Sequence, residues 1–255
     1  MRTFLARIVA GLFLLLFVFL PTSSSGTPPK DSEFVYARIR YHLTLDGQFV
    51  YETPWHHDYP DSDSLFPKIL AEITGVRSNG DSYQIVDIDS PDLFKYPFYY
   101  LCEPGYIDLL PRDAANLREY LDRGGFVLVD DFRTASYSPQ RGVQGYEDDI
   151  GHFRREMKKV YPDREFEKLT LKDPIFHTFY DIQSLDVNVP YVFPGQLVPE
   201  FLVLRDDKGH IQMILNNNND VSEEWKWVNQ GRSPMHDALT SLQFGINYVM
   251  YAMTH

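Results

Sequence analysis

The stretch YPFYYLCEPGYIDLLPRDAANLREYLDRGGFVLVDDF, Tyr96 to Phe132, decides the fold. Phe98 to Cys102 is an almost wholly apolar run, the composition of a strand covered on both faces. Pro111 suits a first helical turn, where its missing N–H costs nothing, and Ala114, Leu117 and Leu121 follow at spacings of three and four. Gly124-Gly125 stops that helix, and Phe126 to Val129 forms a second apolar strand ending on two adjacent carboxylates, Asp130 and Asp131. Strand, crossover helix and strand make one βαβ unit, with its loops aimed at a single edge of a parallel sheet, where ligands commonly sit. No nucleophile, metal signature or phosphate loop accompanies the carboxylates, so this stretch speaks of architecture and address more than of chemistry.

Upstream, Phe34 to Tyr41 alternates apolar and polar residues and opens the domain as a strand. Asp46-Gly47, between Thr44-Leu45 and Gln48-Phe49, is a two-residue hairpin signal, read as an extension of that strand. Asp61 to Ser64 offers N-cap residues, Leu65, Ile69, Leu70 and Ile73 share a helical face, and Gly75 supplies the stop. Tyr83 to Ile88 is a further strand.

Downstream, residues 133–145 are rich in Ser, Pro, Gly, Gln and Arg without a period and read as a long loop beside the acidic pair. A polar helix from about Tyr146 to Val160 follows, then a Phe/Tyr/Pro-rich region to Phe193. Phe201 to Leu204 and Ile211 to Leu215, joined by Asp206-Asp207-Lys208-Gly209, read as a second hairpin. The last element is a helix from about His236 to Met253, with Leu239, Leu242, Ile246 and Val249 on its buried face.

Arg2 and Arg7 precede an apolar run from Ile8 to Leu20, then Pro21, Ser23, Ser24, Ser25 and Gly26, the layout of a secretory signal. The run would cover only about 20 Å of a roughly 30 Å hydrocarbon core. We therefore expect residues 1–25 to be a signal peptide, 26–33 a linker and 34–255 a single domain, periplasmic or secreted. If the segment stays uncleaved, it is an inner-membrane anchor and the protein's one membrane contact. The formal charge of -12, or -14 without Arg2 and Arg7, would repel a polyanion, which argues against nucleic acid as a partner. A single cysteine, Cys102, excludes an internal disulfide, so stability rests on packing, to which 17 Tyr and 18 Phe contribute large areas.

Several phrases resemble an uncharacterised bacterial domain-of-unknown-function family, number 4159. They are ARIRY at Ala37 to Tyr41, the Trp55-x-x-Asp58 pair, DLFKYPF at Asp92 to Phe98, LREYLDRGGF at Leu117 to Phe126, FRREMKKVYPD at Phe153 to Asp163, DPIF at Asp173 to Phe176 and the terminal GINYVMYAMT. That family is similar in fold to the class I glutamine amidotransferase-like superfamily. The resemblance implies an α/β fold, a flavodoxin-like three-layer sandwich with a mostly parallel sheet, helices on both faces and β-hairpin extensions. An amidotransferase places a nucleophilic cysteine on a sharp turn after the strand matching Phe126 to Val129, where this chain has Asp130-Asp131-Phe132. Cys102 ends the preceding strand, where the superfamily would place its oxyanion loop, and no His-x-Glu pair lies near the C-terminus. The Cys-His-Glu triad is absent, so no catalytic residue is assigned.

The candidate ligand-binding residues are Trp55, Asp58, Glu103, Asp130, Asp131, Asn219 and Asp220. Asp130 and Asp131 either work as acid and base or hold a hard cation, or else they accept hydrogen bonds from loop amides. Asp58 and Glu103 reach the same edge in a parallel arrangement. Trp55 is an aromatic plate beside them or a lid over the core. Asn219 and Asp220, in the amide-rich loop after Ile211 to Leu215, match the family pattern and read either a ligand's hydroxyl groups or only a left-handed turn. Adjacent His56 and His57 diverge on an extended chain, and no EF-hand spacing occurs, so neither a metal nor a cofactor is expected. The first expectation is a non-catalytic envelope domain that binds a small polar ligand or an envelope protein. The alternative is a hydrolase acting on an envelope sugar or amide, with Asp130 or Asp131 as base and Glu103 as acid.

Overall fold

A computed structural model of the chain describes residues 30, 33–42, 44–45, 48–49, 54–132, 148–187 and 198–255. The expected signal segment and the loop over 133–145 lie outside the described residues. The chain is a mixed α/β protein built on a seven-stranded, mostly parallel sheet. In chain order its elements are β1 (Ala37–Arg40), β2 (Thr44–Leu45), β3 (Gln48–Phe49), α1 (Asp61–Thr74), β4 (Gln84–Asp87), β5 (Phe98–Cys102), α2 (Pro111–Asp122), β6 (Phe126–Asp130), α3 (Asp149–Val160), β7 (Glu167–Lys168), β8 (Glu200–Arg205), β9 (Ile211–Asn217), α4 (Val221–Trp227) and α5 (Met235–Thr254). The strand order is β4-β1-β5-β6-β9-β8-β7; the first five run parallel, while β8 is antiparallel to β9 and β7 to β8. The β2–β3 hairpin pairs outside this sheet, Thr44 opposite Phe49.

Every residue of β5, β6 and β9 is buried, which is why those strands read as continuous apolar runs. Successive strand residues point to opposite faces, and the core divides accordingly. Tyr99, Leu101, Val127, Val129, Met213 and Leu215 pack with α2 and α3. Tyr100, Cys102, Leu128 and Ile214 pack with α1, α4 and α5.

The central βαβ unit forms where its sequence places it, with Pro111 in the first turn of α2 and Gly124 left-handed after its end. Gly75 is left-handed and ends α1, and the 206–209 hairpin joins β8 to β9. Two helical faces differ from the expected ones. The buried side of α1 is Ser62, Asp63, Phe66 and Leu70, with Ile73 exposed, because Asp63 turns inward to meet Arg38 and rotates the apolar stripe with it. On α5, Leu242, Ile246 and Val249 are buried as expected, but Leu239 is exposed, because Ala238 and Ser241 take the inward side of that turn. The helix α3 begins at Asp149, capped by Asp148, whose carboxylate accepts the Gly151 N–H. The short helix α4 was not anticipated; Asp220 caps it, and Val221 and Trp225 bury one side. Trp225 stacks on Phe66 at 4.2 Å, and a Cβ at Gly245 of α5 would lie 2.3 Å from Trp225, so this glycine lets α5 and α4 close on each other.

Candidate functional site

The site is assembled from the chain ends that leave the sheet at its carboxyl edge, and its base is a buried cation. Arg38 of β1 is fully enclosed, and its Nε and Nη2 donate to the Asp63 carboxylate at 2.9 and 2.6 Å. Its Nη1 donates to the carbonyls of Trp55 and His57 at 3.0 and 2.8 Å, and Nη2 donates to Ser62 Oγ at 3.3 Å. The Cys102 thiol adds a hydrogen bond to the Trp55 carbonyl at 3.1 Å. An irregular segment thus has its backbone pinned from beneath, which fixes where His57 and Asp58 point.

What they point at is a concentration of carboxylates. His57 Nδ1 lies 2.9 Å from Asp131 Oδ2, 3.7 Å from Asp58 Oδ2 and 4.0 Å from Asp220 Oδ2. Donor atoms of His57, Glu103 and Asp131 lie within 4.8 Å of one another, and so do those of His57, Asp58, Asp220 and Glu223. Three of these acids have left-handed backbones: Asp58 at φ 63°, Glu103 at 48° and Asp131 at 60°. The left-handed region is uncommon for residues other than glycine, and such strain concentrates at functional sites. Asp tolerates it because its short polar side chain bonds locally, whereas Glu103 has no such excuse.

Lys226 donates to Asp58 Oδ1 at 2.5 Å and to Glu223, while Ser222 Oγ donates to Asp58 Oδ2 at 2.8 Å. Burial works against the Asp58 charge, yet the hydrogen bond from Glu223 and the charges of His57 and Lys226 hold its carboxyl well below the usual range. Glu223 moves the other way, to about 7, through desolvation and its bond to Asp58. Burial pulls the His57 imidazole down, but Asp131, Asp58 and Glu103 together push it up to about 9. Asp220, buried among Asp131, Asp58 and Asp130, is raised well above the carboxylate range. Its Oδ1 accepts the Glu223 N–H at 3.0 Å, while its buried Oδ2 has no hydrogen-bond partner.

A family described as Domain of unknown function (DUF4159) matches residues 35–253 of this chain. The protein belongs to that family. No curated protein matches the chain.

In this DUF4159 domain, four of the seven residues read from sequence meet around His57: Asp58, Glu103, Asp131 and Asp220. Asp130 is next to them but faces its own set of donors. Its Oδ2 accepts from the Val221 and Ser222 N–H groups at 2.9 and 3.1 Å and from Tyr100 Oη at 3.3 Å, and its Oδ1 accepts from Asn216 Nδ2 at 3.1 Å. Asp130 therefore braces the first turn of α4, and burial brings it up to about 7. Trp55 is half-buried against the core, with the Arg40 guanidinium 5.9 Å from its ring; it offers Arg38 its carbonyl. Asn219 is buried, accepts the Asp220 N–H at 2.9 Å and lines a small cavity with Glu224 and Ser241.

The DUF4159 site also contains His57, which the sequence reading weighed and set aside, and Ser222, Glu223 and Lys226, which were not among the candidates. His56 is exposed and His57 turns inward, but they sit in and just after a 3₁₀ turn over Pro54–His56 and not on the extended chain expected from sequence. For the others a signal existed: Asp220 followed by Val221 and Trp225 at a spacing of four is a capped amphipathic turn, and it puts Glu223 and Lys226 on one side.

Proposed function

We propose that this protein is an exported cell-envelope domain that binds a small polar, positively charged ligand, or such a group on an envelope protein, at the carboxyl edge of its sheet. The observation that carries the reading is the trio of left-handed acids, Asp58, Glu103 and Asp131, gathered with Asp220 around one histidine. Left-handed backbones at residues other than glycine cost stability, and such strain concentrates at functional sites, which supports a site kept for a ligand. Export rests on the sequence of residues 1–25. We further read the fold as a flavodoxin-like three-layer sandwich of the amidotransferase-like superfamily. That superfamily's thiol chemistry finds no support, since Cys102 is buried and burial pushes its thiol pKa up, away from the thiolate a nucleophile needs.

Thermal unfolding of Asp131→Asn and Asp220→Asn tests the binding reading, alongside shifts caused by putrescine, glucosamine or a lysine-containing tripeptide. A site held for a ligand predicts that both variants stay folded and lose the shift that one of these cations gives the wild type. Two variants that melt lower, with a wild type indifferent to all three cations, would make the acids structural braces and end the reading.

One observation favours hydrolysis of an envelope sugar or amide instead. Glu223 near 7 beside an ionised Asp58 has the split acidity of an acid–base pair. Asp130, the base expected from sequence, is closed in by four donors. Turnover of peptidoglycan fragments that Glu223→Gln abolishes would replace binding with this chemistry.

A further inference from the structure

Lys226 already sits in the pocket as a cation, and the way it is held says which kind of cation the pocket takes. It stands in the last turn of α4, and its ammonium donates to Asp58 Oδ1 at 2.5 Å and to Glu223. The Trp227 ring lies 5.7 Å from Nζ, within reach of a cation–π contact. Two carboxylate oxygens from different segments and one aromatic face therefore converge on one point. A primary ammonium suits such a point, because it is a compact charge with three donors. A guanidinium is matched instead by a flat pair of acceptors, and a quaternary ammonium has no N–H to give. The side chain of Asp58 is 0 % exposed, that of Glu223 13 % and that of Lys226 19 %, so the lysine is the outermost of the three and the one free to leave.

A second observation shows that Lys226 does not satisfy everything around it. Asp220 Oδ2 is buried without a hydrogen-bond partner, although donor atoms of Asp220, Asp58, Glu223 and His57 lie within 4.8 Å of one another. The Lys226 bonds end on the outer pair, Asp58 and Glu223. Resting on the binding reading above, we propose that the ligand is a primary ammonium group on an alkyl chain, and that Lys226 is its tethered competitor, giving up Asp58 and Glu223 as the ligand enters. An ammonium that arrives on a chain of its own reaches the Asp220 carboxyl as well, which the tether denies to Lys226. The released lysine regains water, since its head is a strongly hydrated point charge on a flexible four-carbon stem. Ser222 keeps its bond to Asp58 Oδ2 and holds that carboxylate in place during the exchange. A tethered group competes at an effective concentration on the order of mM, so the ligand binds this chain more weakly than it would bind the same pocket without the Lys226 charge.

The test is calorimetric titration of the full-length chain with cadaverine, Nα-acetyl-lysine amide and tetramethylammonium, in the wild type, Lys226→Met and Lys208→Met. Methionine keeps an unbranched, flexible stem and removes the ammonium. At least one of the two primary amines should bind Lys226→Met about 10-fold or more tighter than the wild type, and far tighter than tetramethylammonium does. Lys208→Met, in the exposed turn between β8 and β9, should match the wild type. Preference for cadaverine marks a free amine as the source, and preference for the lysine amide marks a protein side chain. Should Lys226→Met unfold, the wild type decides: with its lysine Nζ atoms isotopically labelled, a saturating amine should shift the Lys226 resonance and leave that of Lys208 in place. The proposal is overturned if a folded Lys226→Met binds neither amine more tightly, if tetramethylammonium binds as well as they do, or if the Lys226 resonance stays fixed at saturation. A cation-dependent thermal shift of the wild type that Asp220→Asn removes, with Lys226 unmoved, would sink the competition and leave the binding site. Absence of amine binding in both the wild type and folded Lys226→Met would sink the two together.

Discussion

Around Arg38 the guanidinium nitrogens all end on acceptors, supplied by Asp63, Ser62 and the carbonyls of Trp55 and His57, while around His57 three carboxylates crowd a nitrogen that makes no hydrogen bond. The two regions share the same edge of the sheet and even the same segment, since His57 gives its carbonyl to one and its ring to the other. Both bury charge, and the difference lies in completion. A buried ion pair with its hydrogen bonds satisfied specifies a local arrangement, whereas acids gathered around one imidazole shift one another's acidity, and Asp220 and Glu223 are both raised. Arg38 is thus scaffold for the segment that carries His57 and Asp58.

The largest effect should come from breaking the completed region. Arg38→Met strands Asp63 and releases two carbonyls, so urea unfolding should register a loss of about 3–5 kcal/mol. A loss below about 1 kcal/mol would erase the contrast. Gly245→Ala tests how firmly the core seats the other wall of the pocket. The new methyl strikes Trp225 of α4, and overpacking of this kind costs about 1–3 kcal/mol. Because α4 carries Asp220, Glu223 and Lys226, the same variant should also weaken cation binding, a coupling that calorimetry on the folded variant reads.

Substitutions around His57 should act on its charge more than on stability. Asp131→Asn keeps a residue that accepts the left-handed backbone and removes the carboxylate beside the ring, so the imidazole should titrate below the wild type's value of about 9, which NMR of its ring protons reads. An unshifted titration would show that Asp131 does not set the His57 charge. The gentlest test is the pH dependence of melting in the wild-type protein. Asp130 at about 7 and His57 at about 9 both lie above their unfolded values. Each therefore contributes stability that is complete below its unfolded pKa and is lost as pH rises through the folded one. Asp58, held low, acts in the reverse sense and matters only as the pH falls below about 4. The melting temperature should decline from pH 5 to 9, and a rise over that interval would show that Asp130 and His57 do not govern it.

The primary structure by itself determined the central βαβ unit, the second hairpin and the terminal helix, because apolar period, Pro111, Gly75 and Gly124 are local signals that act within a few residues. It also determined that Asp58, Glu103, Asp131 and Asp220 stand at strand ends or loop turns, since parallel connectivity sends those loops to one edge. It could not decide the roles within that set. Asp130 and Asp131 are neighbours with the same side chain, yet the alternation of the strand gives Asp130 to the amides of α4, and the left-handed turn that follows gives Asp131 to His57. His57 entered the site only because Arg38, on another strand, holds its carbonyl, and Ile73 left the core only because Asp63 rotated α1 toward that same arginine. Those outcomes belong to the tertiary structure because they follow from contacts between residues far apart in sequence, where local periodicity carries no information about direction.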